Sequence, residues 1–178
     1  MKPADRPVTA ALLIIGNEIL SGRTQDINLN HIALTLGEKG IRMMECRIVP
    51  DDETEIIDAL NALRVKFDYI FTTGGIGPTH DDITAGCIAK AFDQKLILNP
   101  EANKIMTAHY KILGVEYTQA RARMAHTPEA ATLVDNPVSV APGFRVENVF
   151  VMAGVPKIMQ AMLENIIPTL TGGAKMRS

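Results

Sequence analysis

The stretch Tyr69-Ile70-Phe71-Thr72-Thr73-Gly74-Gly75-Ile76-Gly77-Pro78-Thr79-His80-Asp81-Asp82-Ile83-Thr84 decides how this chain is read. Tyr69 to Thr73 are all aromatic or β-branched and none is charged, which predicts a short strand buried on both faces. Gly74-Gly75-Ile76-Gly77-Pro78 then breaks the strand into a loop. Beyond it Ile83, Cys87, Ile88 and Ala91 recur at helical spacing, predicting a helix from about Asp81 to Ala91. Strand, glycine-rich loop and helix in that order form the first half of a crossover, and crossovers join parallel strands.

The same alternation extends outward. Thr9 to Ile15 is a continuous apolar run, and Asp26 to Lys39 carries Leu29, Ile32, Ala33 and Leu36 at helical spacing, closed by Gly37 and Gly40. Ile41 to Val49 reads as a second strand, stopped by Pro50, and Asp52 to Arg64 as a helix with Ile56, Leu60 and Leu63 on one stripe. After the decisive stretch come a helix from Pro100 to Leu113, ended by Gly114, and a mixed region from Thr118 to Phe144 punctuated by Pro128, Pro137 and Pro142. Val146 to Met152 reads as a late strand, and Gly154-Val155-Pro156 leads into a helix striped by Ile158, Met159, Met162, Leu163 and Ile166. Met43, Met44, Met159 and Met162 read as core filling for a chain with few aromatics. The expectation is an α/β protein, a three-layer α/β/α sandwich with a mainly parallel sheet, formed as a single domain over residues 1–178.

Composition narrows the function classes. Of 178 residues, 47% are hydrophobic and 21% charged, which excludes a disordered chain. Eighteen basic against twenty acidic residues give a net charge of −2 with no basic block, so nucleic acid is not an expected partner. Cys46 and Cys87 sit in apolar segments without CxxC spacing, which argues against a disulfide framework or zinc site and for a reducing compartment. The run Ala10 to Ile15 is six residues, far short of the roughly 20 that span a membrane, and Gly16-Asn17-Glu18 follows it where a signal peptide would have a cleavage site. A cytoplasmic protein without a membrane partner is expected.

In an open parallel sheet, ligands bind beyond the carboxyl ends of the strands. The loops there carry Gly16, Asn17, Glu18 and Ser21 after the first strand, Asp51 and Asp52 after the second, Gly74, Gly75, Gly77, Pro78, Thr79, Asp81 and Asp82 after the third, and Gly154 after the last. Gly74 to Thr79 present backbone amides just before a helix, a plausible phosphate cradle. No Lys-Ser/Thr pair follows the last glycine, so it is not a Walker A loop, and it lacks the third glycine of GxGxxG. Carboxylates beside such a cradle imply a divalent cation between them and the phosphates. On the residues alone, Asp52 and Asp81 read first as helix caps. His80 reads as a solvated loop histidine, His109 and His126 as structural or exposed, and Arg121, Arg123 and His126 as a solvated face that could alternatively reach ligand phosphates or a partner subunit.

Gly16-Asn17-Glu18-Ile19-Leu20-Ser21-Gly22, Val49-Pro50-Asp51-Asp52 and the Thr73–Thr84 string together resemble the molybdopterin-binding (MoaB/Mog) domain family, most nearly the N-terminal domain of CinA-type proteins. Asn136-Pro137, Ala141-Pro142-Gly143-Phe144 and Ala153-Gly154-Val155-Pro156 fit that branch as well. The resemblance implies a domain that takes molybdopterin or an adenine nucleotide as ligand and uses Mg²⁺ or another divalent cation, as in molybdenum cofactor biosynthesis. Asp51 and Asp82 are then the catalytic residues, with Glu18 completing the metal set. Gly16, Asn17, Ser21, Gly74, Gly75, Gly77, Pro78, Thr79 and Gly154 are the ligand and phosphate contacts, and a homo-oligomer is expected. Two alternatives accompany it: a metal-dependent pyrophosphatase acting on ADP-ribose or a related dinucleotide, and a non-catalytic binding or scaffold module. The sequence departs from the CinA pattern at Asn17 and Ala153, where Asp and Pro are usual. The deamidase domain that follows in typical CinA proteins is expected to be absent.

Overall fold

The structure, a computed structural model, describes residues 6–173. Its frame is a six-stranded sheet in the order β2 (Ile41–Val49), β1 (Val8–Ile15), β3 (Tyr69–Thr73), β8 (Val149–Met152), β7 (Gly143–Val146) and β6 (Thr132–Val134). The strands β1, β2, β3 and β8 run parallel, while β6 and β7 add an antiparallel edge. One face is covered by α2 (Asn28–Glu38) and α7 (Pro156–Ile166), the other by α3 (Glu53–Arg64) and α4 (Thr84–Ala91). This is the three-layer α/β sandwich expected from the alternation of apolar runs and amphipathic segments.

The side-chain period of two divides each central strand between the layers. Ala11, Leu13 and Ile15 of β1 pack with Ile56, Leu60, Leu63, Cys87 and Ile88 on one face. Ala10, Leu12 and Ile14 pack with Ile32, Leu36, Met159, Met162 and Ile166 on the other. Phe71 and Phe150 stack on that second face with ring centroids 5.4 Å apart. A smaller unit lies outside the sandwich: α5 (Pro100–Leu113), α6 (Gln119–Ala122), and a two-stranded antiparallel sheet of β4 (Leu96–Leu98) and β5 (His126–Pro128). The Asn99 side chain caps α5, and Gly114, left-handed at φ 64°, ends it.

Five expectations need correction. The third helix starts at Thr84 rather than Asp81. Asp82 instead folds back on the loop, accepting hydrogen bonds from Thr79 N and Thr79 Oγ1, both at 2.8 Å, so neither it nor Asp81 caps the helix. Val146 ends β7, not the late strand, because the chain reverses at Glu147-Asn148 to form an antiparallel hairpin. Met44 is half exposed: it is the extra residue of a bulge, since Ala10 pairs with Met43 and Ala11 with Glu45. Gly37 lies inside α2, and the helix closes at Lys39 and Gly40. Asp52 does cap α3, accepting from Thr54 N and Glu55 N.

The glycine-rich loop is seated by direct backbone contact. Gly74 has φ +97°, and a Cβ there would fall 2.1 Å from the Ile15 carbonyl oxygen. At Gly75, with φ +70°, a Cβ would collide with Thr84 Oγ1 at 2.1 Å. That hydroxyl donates to the Gly74 carbonyl at 3.0 Å, and Thr84 N donates to the Gly75 carbonyl at 3.0 Å, so helix start and loop are locked together.

Two stability outcomes follow. Gly74→Ala should lower unfolding free energy by about 2 kcal/mol or more, because both sterics and backbone conformation oppose it. Gly37→Ala, exposed in α2 where an added Cβ meets nothing within 4 Å, should raise it by about 0.5–1 kcal/mol; urea titration of the two variants measures both signs. At the opposite end of the sheet, the Arg6 guanidinium holds the Asp68 carboxyl below the usual carboxylate range, helped by Thr9 N and Thr9 Oγ1 donating to it at 2.8 and 2.9 Å. A depressed pKa stabilises the fold above the unfolded value of about 4, and this contribution is lost as pH falls through the folded one. Asp68→Asn should therefore be less stable than wild type at pH 7, with the gap closing below about pH 4 in urea titrations run across pH.

Candidate functional site

The four parallel strands end at Ile15, Val49, Thr73 and Met152, and their loops meet along one edge. Asn17 N donates to Asp51 Oδ2 at 2.9 Å, tying the first loop to the second. Gly154 lies against Gly74, where a Cβ would come within 3.3 Å of the Gly74 Cα, tying the last loop to the third. Asn28, at the start of α2, adds a hydrogen bond from Nδ2 to the Gly154 carbonyl at 2.8 Å. Glu18 lies in the short helix α1 (Asn17–Leu20) with its carboxylate folded over Gly16.

At the centre of this edge, the N–H groups of Gly75, Ile76 and Gly77 donate to no described residue, whereas the N–H groups of Gly74, Thr79 and Thr84 are engaged with Met152, Asp82 and Gly75. Successive unpaired amides are an anion-binding arrangement. Gly77 is close-packed as well, since a Cβ there would sit 2.7 Å from Asp82 Oδ2. Pro78 is exposed and has no N–H, so it shapes the turn and donates nothing to a phosphate.

Cavities flank the loop on both sides. The larger, about 490 Å³, is walled by Thr79, His80 and Asp82 of the loop, Cys87 and Lys90 of α4, and Arg123 and His126 of the outer unit, with Glu53 and Leu96 completing it. A narrow slot of about 20 Å³ runs between Gly75, Gly77, Asp82, Arg123 and His126. The smaller chamber, about 60 Å³, lies on the other side, between Glu18, Asn28, Thr73, Gly74 and Gly154. The sequence-predicted residues are thus divided: Thr79 and Asp82 face one cavity, Glu18, Gly74 and Gly154 the other, and Gly75 and Gly77 the slot. Gly16, Asn17, Ser21, Asp51 and Pro78 stand outside these walls.

Among the described residues, no group of three or more His, Cys, Asp or Glu side chains gathers closely enough to hold a metal ion. Glu18, Asp51 and Asp82 therefore do not form a ready-made metal cage. Asp51 and Asp82 each have one oxygen engaged by the protein and a second that accepts no hydrogen bond from a described residue. That donor set fits a cation such as Mg²⁺, which is held by one or two carboxylates and completed by substrate phosphates.

Sequence reasoning placed the basic wall second, as an alternative to a solvated face. Arg123 and His126 read as a solvated face, yet the short 3₁₀ turn Arg123–Ala125 and strand β5 bring both to the cavities. His126 Nδ1 lies 3.0 Å from the Ala122 carbonyl, which places the N–H there and leaves Nε2 as the ring's other functional atom. Arg121 behaves otherwise, its guanidinium stacking over Tyr110 at 4.8 Å. Burial pushes the Cys87 thiol up to about 11, so it stays protonated and acts as cavity lining. His80 pairs with Asp81 at 3.0 Å on the exposed surface. Among the described residues, no helix is long and apolar enough to cross a membrane.

Comparison with known proteins agrees with this architecture. A family model described as a probable molybdopterin binding domain matches residues 11–172. A CinA-like protein of Desulfosudis oleivorans is 37% identical over 175 residues, covering 94% of this chain and 42% of that protein. A protein of Caldivirga maquilingensis is 40% identical over 165 residues, covering 90% of this chain and 64% of its own length. The chain thus spans less than two thirds of the curated relatives it matches. The crystal structure of CinA, of unknown function, from Thermoplasma acidophilum superposes with a TM-score of 0.83 at 33% identity, covering 90% of this chain and 96% of that one. The molybdopterin biosynthesis enzyme MoaB of Thermus thermophilus shares the fold, with a TM-score of 0.63 at 20% identity and coverage of 92% and 91%. From glycine-rich loop to strand order, this chain belongs to the family of probable molybdopterin binding domains, on its CinA-like side.

Proposed function

We propose that the chain binds a phosphorylated heterocycle, molybdopterin or an adenine nucleotide, and carries out Mg²⁺-dependent chemistry at a phosphoanhydride. The observation that carries this reading is the run of unpaired amides at Gly75, Ile76 and Gly77 beside Asp82 and the basic wall. A phosphate on those amides has Arg123 and His126 across the slot and Lys90 in the adjoining cavity to neutralise its charge. Asp82 and Asp51 would hold a divalent cation together with the substrate phosphates, and the cation would add to that neutralisation. Thr79, donating twice to Asp82, fixes that carboxylate so that its second oxygen faces the ligand. In line displacement at phosphorus then needs only a correctly held nucleophile. In adenylylation this is the pterin phosphate, which attacks the α-phosphorus of ATP and releases pyrophosphate. In the same reading the protein works in the cytoplasm as a homo-oligomer.

A specific observation favours a second reading. Cavities lie on both sides of the glycine-rich loop, which suits a ligand with two bulky ends joined by a diphosphate. Water as nucleophile would then split ADP-ribose into AMP and ribose 5-phosphate.

Both reactions can be run side by side with Mg²⁺, Mn²⁺ or Co²⁺: ATP with molybdopterin, assayed for pyrophosphate, and ADP-ribose, assayed for AMP by chromatography. Product is expected in one arm, and Asp82→Asn should cut it by about 10²–10³-fold while unfolding as wild type does. Wild-type turnover in Asp82→Asn removes Asp82 from the chemistry. No product in either arm with any metal leaves a ligand-binding module.

A further inference from the structure

The 60 Å³ chamber beneath the first loop is lined by two residues, Asn28 and Thr73, each with a buried side-chain oxygen that the protein leaves without a partner. Asn28 is only 4% exposed, and its Nδ2 donates to the Gly154 carbonyl at 2.8 Å. That bond fixes the amide, because a flipped side chain would set Oδ1 against a carbonyl oxygen. Oδ1 then lies on the other side without a donor. Thr73, 1% exposed at the end of β3, likewise has an Oγ1 with no partner. Both residues line the chamber, and its mouth is formed by the exposed Thr24, Gln25 and Ile27, so it is reached from outside. Buried polar atoms are almost always hydrogen-bonded, and here two residues with an unpartnered oxygen border one space.

The surrounding chemistry selects what fills it. Glu18 and Asp26 stand at the walls, so an anion is repelled and the phosphate belongs on the amides beyond Gly74. Two acceptors in a small chamber match the two N–H bonds of a primary amino group. We infer that Asn28 Oδ1 and Thr73 Oγ1 form a subsite for the exocyclic amino group of an aminated heterocycle. This rests on the proposed function, since the phosphate of the same ligand lies on the glycine-rich loop. Gly74 joins the two places, lining the chamber while its successors supply the free amides.

The test is calorimetric titration with AMP, purine riboside 5′-monophosphate, which carries hydrogen in place of the amino group, and ribose 5-phosphate. AMP should bind wild-type protein about tenfold more tightly than the purine analogue, the effect of one or two hydrogen bonds. Thr73→Val removes the unpaired hydroxyl without changing shape, so it should unfold no more readily than wild type and shrink the preference to below about threefold. Equal affinities for AMP and the purine analogue in the wild type overturn the subsite while leaving the phosphate reading intact, as does a preference unchanged in Thr73→Val. Failure of all three compounds to bind overturns the phosphate reading and the subsite together.

Discussion

The contact between Gly74 and the Ile15 carbonyl holds the functional edge together. Two neighbouring parallel strands, β1 and β3, end at the same level, and the backbone of one turns directly over the last carbonyl of the other. Nothing larger than hydrogen fits between them. Gly154 presses on Gly74 from the β8 side, and Thr84 clasps the loop from α4. The loop is therefore held by Ile15, Gly154 and Thr84, and the residues with unpaired amides border the slot. Preorganisation of this kind lets amides act on developing charge without first rearranging.

The fold was legible because burial is periodic. β1 alternates its side chains between two helix layers, and the helical stripes of α3 and α7 appear in the sequence as they appear in the core. The misreadings have local causes. Asp81 looked like a helix cap because aspartates favour helix starts, but the helix begins only at Thr84, after a turn closed by Thr79 and Asp82. Met44 looked like core because a bulge is invisible to strict alternation. Val146 continued an apolar run with no glycine or proline to mark the reversal at Glu147-Asn148.

The site was legible in part, and the division is instructive. Glycines forced by close approach are written into the sequence, so Gly74, Gly75, Gly77 and Gly154 could be found without coordinates. Arg123 and His126 could not, since their position depends on how α5, α6 and β5 fold back over α4, a long-range arrangement with no local signature. Asn28 was hidden for another reason: as the first residue of an amphipathic helix it looks like ordinary capping sequence, and only the bond to Gly154 shows where its oxygen is left.

The link from Asp51 to the first loop is made to the main-chain N–H of residue 17, not to its side chain. Every amino acid except proline presents that group in the same way. The side chain at position 17 takes no part in that anchor, and the asparagine found here where the CinA pattern has aspartate leaves it untouched. A change of side chain at that position alters the charge displayed on the loop and leaves the bond that shapes it in place.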